Sequence, residues 1–386
     1  MSQPRNRHTS DSRSAWLAYH IGMPDLFTPL QLRGVTIPNR IAMSPMCQYS
    51  SIDGFANHWH LAHHGARAVG GVGLLIAEAT GVEARGRITP NCLGIWKDEH
   101  IPALKEMTDF VKERGSVAGI QLAHAGVKAS HHRPFNAPGR GYVPEEEGGW
   151  MPVGPTAKRF SSSSPVPHEL TASEIRGVTQ SFADAARRSV AAGFEVIELH
   201  FAHGYLGHSF LSPLMNERTD EYGGPFDHRV AFLLETVRAV RNVMPEELAL
   251  MVRISATDWV EGGWTIEDSI EASRRMLDLG VDLVDCSTGG ASRNASIPVG
   301  PDYQVTFATQ IREATGMPTG AVGLITEPKQ ADDIIREGKA DLVLMGRELL
   351  RDPYWPHRAW VELQPEADPV IAREYAWALR ETRRRR

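Results

Sequence analysis

Eight short apolar runs, separated by stretches with helical periodicity, constrain this chain more than any other feature of its sequence. They fall at residues 41–43, 72–77, 117–122, 193–199, 248–254, 281–286, 319–322 and 341–345. Most are continuously apolar rather than alternating, the pattern of strands buried on both faces of a parallel sheet. Helical stretches lie between them, at about 58–69, 99–114, 229–243 and 304–314. Three more are marked by their ends: Thr171-x-x-Glu174 opens a helix that ends at Gly193, Thr265-x-x-Asp268 one closed by Gly280, and Thr326 one that ends at Gly338. Strands repeating with interposed helices predict an α/β fold, and a count of eight favours closure into a (β/α)8 TIM barrel over an open doubly wound sheet. No Gly-x-Gly-x-x-Gly follows a strand, which weakens a dinucleotide-binding sheet further.

The 386 residues fit one such barrel with insertions. The barrel is expected over residues 23–360, entered by an N-terminal hairpin around Arg33-Gly34. Its main interruption is an excursion after strand 3 at 129–168, rich in Pro, Gly and Ser, expected to form part of a lid. Residues 1–22 read as a disordered extension and 361–386 as a C-terminal tail. A net charge of −6 gives no electrostatic footprint for nucleic acid. Three separated cysteines, Cys47, Cys92 and Cys286, disfavour a zinc ribbon or an all-cysteine iron–sulfur cluster and suit reduced thiols. No run approaches the roughly 20 apolar residues of a membrane span, and the polar start has no apolar signal core, so the expectation is a cytoplasmic protein without a membrane partner.

The chemistry concentrates in Glu198-Leu199-His200-Phe201-Ala202-His203-Gly204-Tyr205. Alternation along the strand puts Val196, Glu198 and His200 on one face, with His200 at the C-terminal tip and His203 and Tyr205 just beyond. Catalytic groups of parallel α/β folds collect at those tips. The plainer alternative is two satisfied histidines capping a helix with Tyr205 packed on them. Other tips offer Cys47, Gln121 and Arg253, and those after strands seven and eight offer Gly320, Gly323, Gly346 and Arg347, which suit a phosphate or else are ordinary turn glycines with a surface arginine. Arg253 at the end of an apolar strand needs an anionic partner, either an internal carboxylate or the N1–C2 edge of a reduced flavin.

Five ordered elements then carry a family resemblance. Ser44-Pro45-Met46-Cys47-x-Tyr49, Gln121-Leu122-x-His124-x-Gly126, His200-x-x-His203-Gly204-Tyr205-Leu206, Asn216-x-Arg218-x-Asp220-x-Tyr222-Gly223-Gly224 and Gly346-Arg347-Glu348 together resemble the Old Yellow Enzyme family of FMN-dependent ene-reductases. The Ser-Pro-Met-Cys element and paired histidines are similar to its bacterial thermophilic-like branch, close to xenobiotic reductases. The resemblance implies FMN as cofactor and NADPH or NADH as hydride donor, acting on small activated alkenes in a homo-oligomer. It implies that Ser44, Pro45, Met46, Cys47, Ala79, Gln121, Arg253, Gly346 and Arg347 hold FMN, with Cys47 tuning its potential and Tyr49 lining the substrate pocket. His200 and His203 would bind the substrate's carbonyl oxygen and Tyr205 would deliver a proton. Where the family often carries an arginine reaching into a neighbouring subunit, this chain has Tyr375-Ala376-Trp377. Two other readings stand beside this one: a metal-dependent barrel hydrolase with His200 and His203 as ligands, and a flavin-binding protein without turnover.

Overall fold

The structure is a computed structural model describing residues 23–137, 139–364 and 372–380. The N-terminal extension and parts of the C-terminal tail named above lie outside those residues. The chain opens with an antiparallel hairpin of β1 (Leu30–Leu32) and β2 (Val35–Ile37), turning at Arg33-Gly34 as the sequence suggests. There follow β3 (Ile41–Met43), α1 (His58–Val69), β4 (Leu74–Gly81), α2 (Ile101–Glu113) and β5 (Val117–Ala123). The excursion holds a 3-10 turn at Glu145–Glu147 and the two-residue strand β6 (Val153–Gly154), which pairs with β7 (His168–Glu169) at the excursion's end. Next come α3 (Ala172–Ala191), β8 (Val196–Phe201), α4 (Leu206–Leu211), α5 (Phe226–Arg229), α6 (Ala231–Arg241) and β9 (Ala249–Ser255). The last third holds α7 (Ile266–Asp278), β10 (Leu283–Ser287), α8 (Val305–Thr315), β11 (Thr319–Ala321), α9 (Pro328–Arg336) and β12 (Leu342–Met345). It ends with α10 (Arg347–Arg351), α11 (Trp355–Leu363) and α12 (Arg373–Arg380).

Strands β3, β4, β5, β8, β9, β10, β11 and β12 pair in chain order, all parallel, and β12 returns to β3 to close the barrel. Two apolar layers hold it. Outward-facing residues such as Ile197 and Leu199 pack with the helices, whereas Val196, Met251, Leu283 and Leu342 point inward. The hairpin contributes Leu30, Leu32, Val35 and Ile37 to that inner layer and so plugs the end of the barrel opposite the strand tips. The only mouth left to build a site is the one where the strands end.

Most expected elements agree within two or three residues, and the differences have local causes. The strand expected at 72–77 runs on to Gly81, so Glu78, Ala79 and Thr80 lie inside it rather than beyond its tip. A shift of register between Ala77 and Thr80 kinks β4 against β5 there. Thr171 and Thr265 form the expected reciprocal caps, but the N-cap of α9 is Glu327 with Gln330, not Thr326. Pro328 at the first turn explains the shift, since it suits N1 and sets the cap one residue before it. Helix α11 passes the expected barrel limit at 360 and continues to Leu363, and the region read as a plain tail contains α12.

The excursion is fastened to the barrel at several points. Trp150 Nε1 donates to the Arg85 carbonyl at 2.7 Å, and Thr156 Oγ1 to that of Met215 at 3.1 Å. Arg218, from the Asn-x-Arg-x-Asp element, donates to the carbonyls of Pro155 at 2.7 Å and Leu170 at 2.6 Å. That element is therefore a clasp for the excursion. Asn216 instead braces the element itself, donating to the carbonyls of Phe210 and Tyr222 at 2.7 Å each.

Close approach of backbone fixes one glycine in the outer layer. A Cβ on Gly70, the C-cap of α1, would stand 2.0 Å from the carbonyl oxygen of Pro353. Gly70→Ala is expected to force these segments apart and lower stability by about 1–3 kcal/mol. A thermal or urea unfolding midpoint equal to the unsubstituted protein's would contradict that packing.

Candidate active site

The focal stretch lies where the sequence puts it. Val196, Glu198 and His200 point into the barrel along β8, and the chain then leaves the strand with His203 and Gly204 in left-handed backbone, φ 61° and 70°. The turn is held from three sides. The Ser255 hydroxyl accepts from His203 N at 2.9 Å and donates to the Gly289 carbonyl at 2.7 Å. The Lys128 ammonium donates to the carbonyls of His203 at 2.6 Å and Gly290 at 2.7 Å. A Cβ on Gly290 would stand 2.4 Å from His203 Cα, so the loops after β8 and β10 touch through bare backbone.

This clamp brings three rings together. The His200 centroid is 5.2 Å from that of His203 and 5.0 Å from that of Tyr205, both edge-on. His200 Nδ1 accepts the Ala202 N–H at 3.4 Å, which leaves its Nε2 to carry the hydrogen and donate. His203 Nε2 is 2.7 Å from the Ser287 hydroxyl, which also accepts from Gln304 Nε2 at 3.0 Å. Either tautomer of His203 satisfies this contact, because a hydroxyl can donate or accept. Burial, followed by the nearby Arg253, holds both imidazoles well below the usual histidine range, so both are neutral at pH 7. Burial, then the neighbouring Cys47, pushes the Tyr205 phenol upward, so it keeps its proton. The same desolvation lowers Lys128 to about 8, with Arg293 adding to the effect.

Opposite these rings runs the segment after β3. Ser44 is buried, and Cys47 follows three residues later in the same segment, with the β4 register shift at Ala77–Thr80 placed on the neighbouring strand. Burial raises Cys47 well above a free thiol, so it stands here as neutral S–H. Tyr49 occupies left-handed backbone at φ 51°, an unfavourable conformation kept by its surroundings, and its ring meets Phe135 of the excursion at 6.4 Å. Behind the segment, buried Glu78 accepts from Gln48 N at 3.0 Å and lies 3.3 Å from His60 Nε2.

A cavity of about 320 Å³ opens between these elements. Its wall includes Ser44, Pro45, Met46, His203, Arg253, Gly323, Gly346 and Arg347 from the expected set, together with Ser287, Tyr303, Gln304 and Arg351. Gln121 lies deeper, its Nε2 donating to Glu198 Oε1 at 2.7 Å. Gly320 does not belong here. It is buried within β11, where a Cβ would stand 2.4 Å from Leu344 Cδ1, so its role is packing inside the barrel and not anion binding. Sequence reading also missed Lys128, Ser287 and Gln304. Lys128 did leave a signal, as a cation between Val127 and Ala129 just beyond a strand tip.

The donors around the cavity fit a flavin mononucleotide. Arg347 and Arg351 with Gly323 and Gly346 supply cationic and open-backbone surface for a phosphate, Met46, Leu324 and Met345 supply apolar surface, and Arg253 and Gln121 supply donors toward an electron-rich ring edge. Arg253 Nε is buried without a well-formed hydrogen bond, although it lies 3.1 Å from Asp285 Oδ2. Both partners proposed for it from the sequence are thus compatible: an internal carboxylate on one side and room for a ligand on the other. Among the described residues, no group of three or more His, Cys, Asp or Glu is placed to hold a metal ion, so His200 and His203 have no further ligands with which to complete a zinc site. Among the same residues, no helix is long and apolar enough to cross a membrane.

Comparison with known proteins agrees with this geometry. Residues 25–366 match the NADH:flavin oxidoreductase / NADH oxidase family. The chain is 49% identical over 354 residues to the NADPH dehydrogenase of Geobacillus thermodenitrificans (strain NG80-2), covering 91% of this chain and 98% of that one. The structure of morphinone reductase superposes with a TM-score of 0.74 at 25% identity, covering 89% of this chain and 91% of that one. The old yellow enzyme homologue from Zymomonas mobilis shares the fold, with a TM-score of 0.73 at 24% identity over 92% of this chain and 96% of that one.

The buried imidazoles imply a dependence of stability on pH. Their folded pKa values lie below the value of about 6.5 for a free histidine, so the unfolded chain takes up protons first as pH falls. Stability is therefore complete above about pH 6.5 and declines below it. His63 and His64 are lowered too and supply a background decline. In the double variant His200→Asn/His203→Asn, the thermal midpoint should drop less between pH 7 and pH 5 than in the unsubstituted protein; equal drops would mean the two rings are not neutral when folded.

Proposed function

Because this chain belongs to the NADH:flavin oxidoreductase / NADH oxidase family, with FMN as its cofactor, we propose that it is an NADPH-dependent ene-reductase that saturates the C=C bond of α,β-unsaturated carbonyls and related activated alkenes. The observation that carries this reading is the ring cluster: two neutral imidazoles and a phenol that keeps its proton, with His203 and Tyr205 each within 5.2 Å of the His200 ring, beside a cavity lined by Arg253. Bound FMN would supply the hydride-transfer chemistry between nicotinamide and alkene.

The chain's own residues account for the rest. Arg253 and Gln121 would hold the ring edge, Arg347 with Gly323 and Gly346 the phosphate, and Ser44, Pro45, Met46, Cys47 and Ala79 the flank facing β3 and β4. Cys47, as a neutral thiol, would bias the flavin potential through a weak S–H contact rather than a full charge. Tyr49 would line the pocket. His200 and His203 would each donate one N–H to the substrate's carbonyl oxygen, where negative charge gathers as the β-carbon gains hydride. Neutral donors fit this task, and each donor of this kind is worth roughly 3 kcal/mol in related sites. Tyr205 would give its phenolic proton to the α-carbon, and burial keeps that proton available across the neutral range.

The name of the Geobacillus relative supports NADPH as the hydride donor. Morphinone reductase, whose name describes a reductase, supports reduction as the direction of the second half-reaction.

Stopped-flow absorbance separates the two half-reactions. Tyr205→Phe should leave reduction of bound FMN by NADPH within about twofold while slowing reoxidation by 2-cyclohexenone by about 100-fold or more. Equal losses in both half-reactions would remove Tyr205 from the role of proton donor. Failure of the purified protein to retain FMN would end the proposal altogether.

A further inference from the structure

Beneath the cavity, two acidic side chains sit where no water reaches them. Glu198 on β8 and Asp285 on β10 are each 0% exposed, and Asp285 lies near enough for its charge to raise the Glu198 carboxyl. Arg253, on the strand between them, is the single cation of the group, its Nε 3.1 Å from Asp285 Oδ2. Gln121 on β5 donates its Nε2 hydrogen to Glu198 Oε1 at 2.7 Å. What remains is unsatisfied: Glu198 Oε2, Asp285 Oδ1 and Asp285 Oδ2 have no hydrogen-bond donor. Nearby, His200 above is neutral, Cys286 is a buried thiol held protonated, and Gly320 and Leu344 on β11 and β12 are apolar; the buried carboxyl of β4, Glu78, is engaged by Gln48 N and His60 instead.

Two carboxylates beside one guanidinium would leave an unbalanced negative charge inside an apolar barrel, at a cost of several kcal/mol. One added proton removes that charge and also completes the hydrogen bonding. We propose that Glu198 and Asp285 share one proton, donated from Glu198 Oε2 to Asp285, and that this proton sets how strongly the barrel floor favours a reduced, electron-rich flavin edge at Arg253. The chain then runs by hydrogen bonds from Gln121 to Glu198 and from Glu198 to Asp285, and by the ion pair from Asp285 to Arg253, joining the two residues assigned to the flavin edge. Burial, then the neighbouring Asp285, raises Glu198 to about 8, which agrees with a proton retained at neutral pH.

The inference rests on the flavin reading for its consequence, though not for the shared proton itself. With the proton in place, Arg253 and one carboxylate sum to zero; without it, the floor carries one net negative charge. Negative charge arriving at Arg253 on reduction strengthens the pair's hold on its proton, so in the pH range where the oxidised protein has lost it, reduction takes a proton up from solvent. The reduction potential then falls with pH more steeply than it would over a floor that cannot titrate. Glu198→Gln is such a floor, since its amide donates to Asp285 and accepts from Gln121 while staying neutral at every pH.

Anaerobic potentiometry of the FMN-loaded protein tests this directly. Unsubstituted protein and Glu198→Gln should have similar potentials at pH 6 and diverge as pH rises. By pH 9 the unsubstituted protein should be less reducible by about tenfold in equilibrium constant, about 30 mV for a two-electron couple. Parallel potential–pH lines would overturn the proposal. Infrared spectroscopy of the unsubstituted protein supplies a second arm that needs no variant: a protonated-carboxyl C=O band at pH 7 that fades toward pH 9 is expected, and its absence at pH 7 would overturn the shared proton. This band is measured with or without FMN, so loss of the flavin reading and loss of the shared proton give different results.

Discussion

Closing eight parallel strands abolishes every sheet edge and leaves an interior in which each inward-pointing side chain must find its partner on another strand. Along β8 this requirement is graded. Val196 meets the hairpin plug, Glu198 meets Gln121 and Asp285, and His200 meets His203 and Tyr205 at the mouth. Polarity rises over three successive inward positions, from a dry floor to a cavity that faces solvent. The hairpin matters to function for this reason: by filling one end of the barrel with leucine, valine and isoleucine, it leaves all the polar groups to converge at the other.

Convergence has an electrostatic consequence. Arg253 and Lys128 both press on the two imidazoles, and with burial they keep those rings uncharged. A charged imidazole would hold an anion tightly before reaction as well as during it. A neutral N–H interacts weakly with a ground-state carbonyl and strongly with the charge that develops there, which is the difference that lowers a barrier. The cations that prevent protonation are themselves placed by the fold, Lys128 through two backbone carbonyls and Arg253 through Asp285.

How far the sequence alone reaches follows from whether a feature is local. The strands are apolar runs, the caps at Thr171 and Thr265 are spelled out within four residues, and the His-x-x-His-Gly-Tyr cluster lies at one strand tip, so all of these were legible. Ser287, Gln304 and Lys128 were not, because each acts on a residue 75 or more positions away or through a partner known only once the loops meet. The boundary of β4 was missed because Glu78 looks like the end of an apolar run, yet it is buried against His60 and the Gln48 backbone. Gly320 was read as an anion-binding glycine because it follows the seventh strand's start, whereas its small size answers to Leu344 inside the barrel.

The bare contact between the turns after β8 and β10 limits how such a scaffold can diversify. Any side chain at Gly290 would displace the His203 backbone that carries its imidazole, and any at Gly204 would strike Gly290 in return. Variation in the pocket therefore has more room on the other rim, where Tyr49 meets Phe135 of the excursion. The rim opposite is in effect frozen by two missing methyl groups.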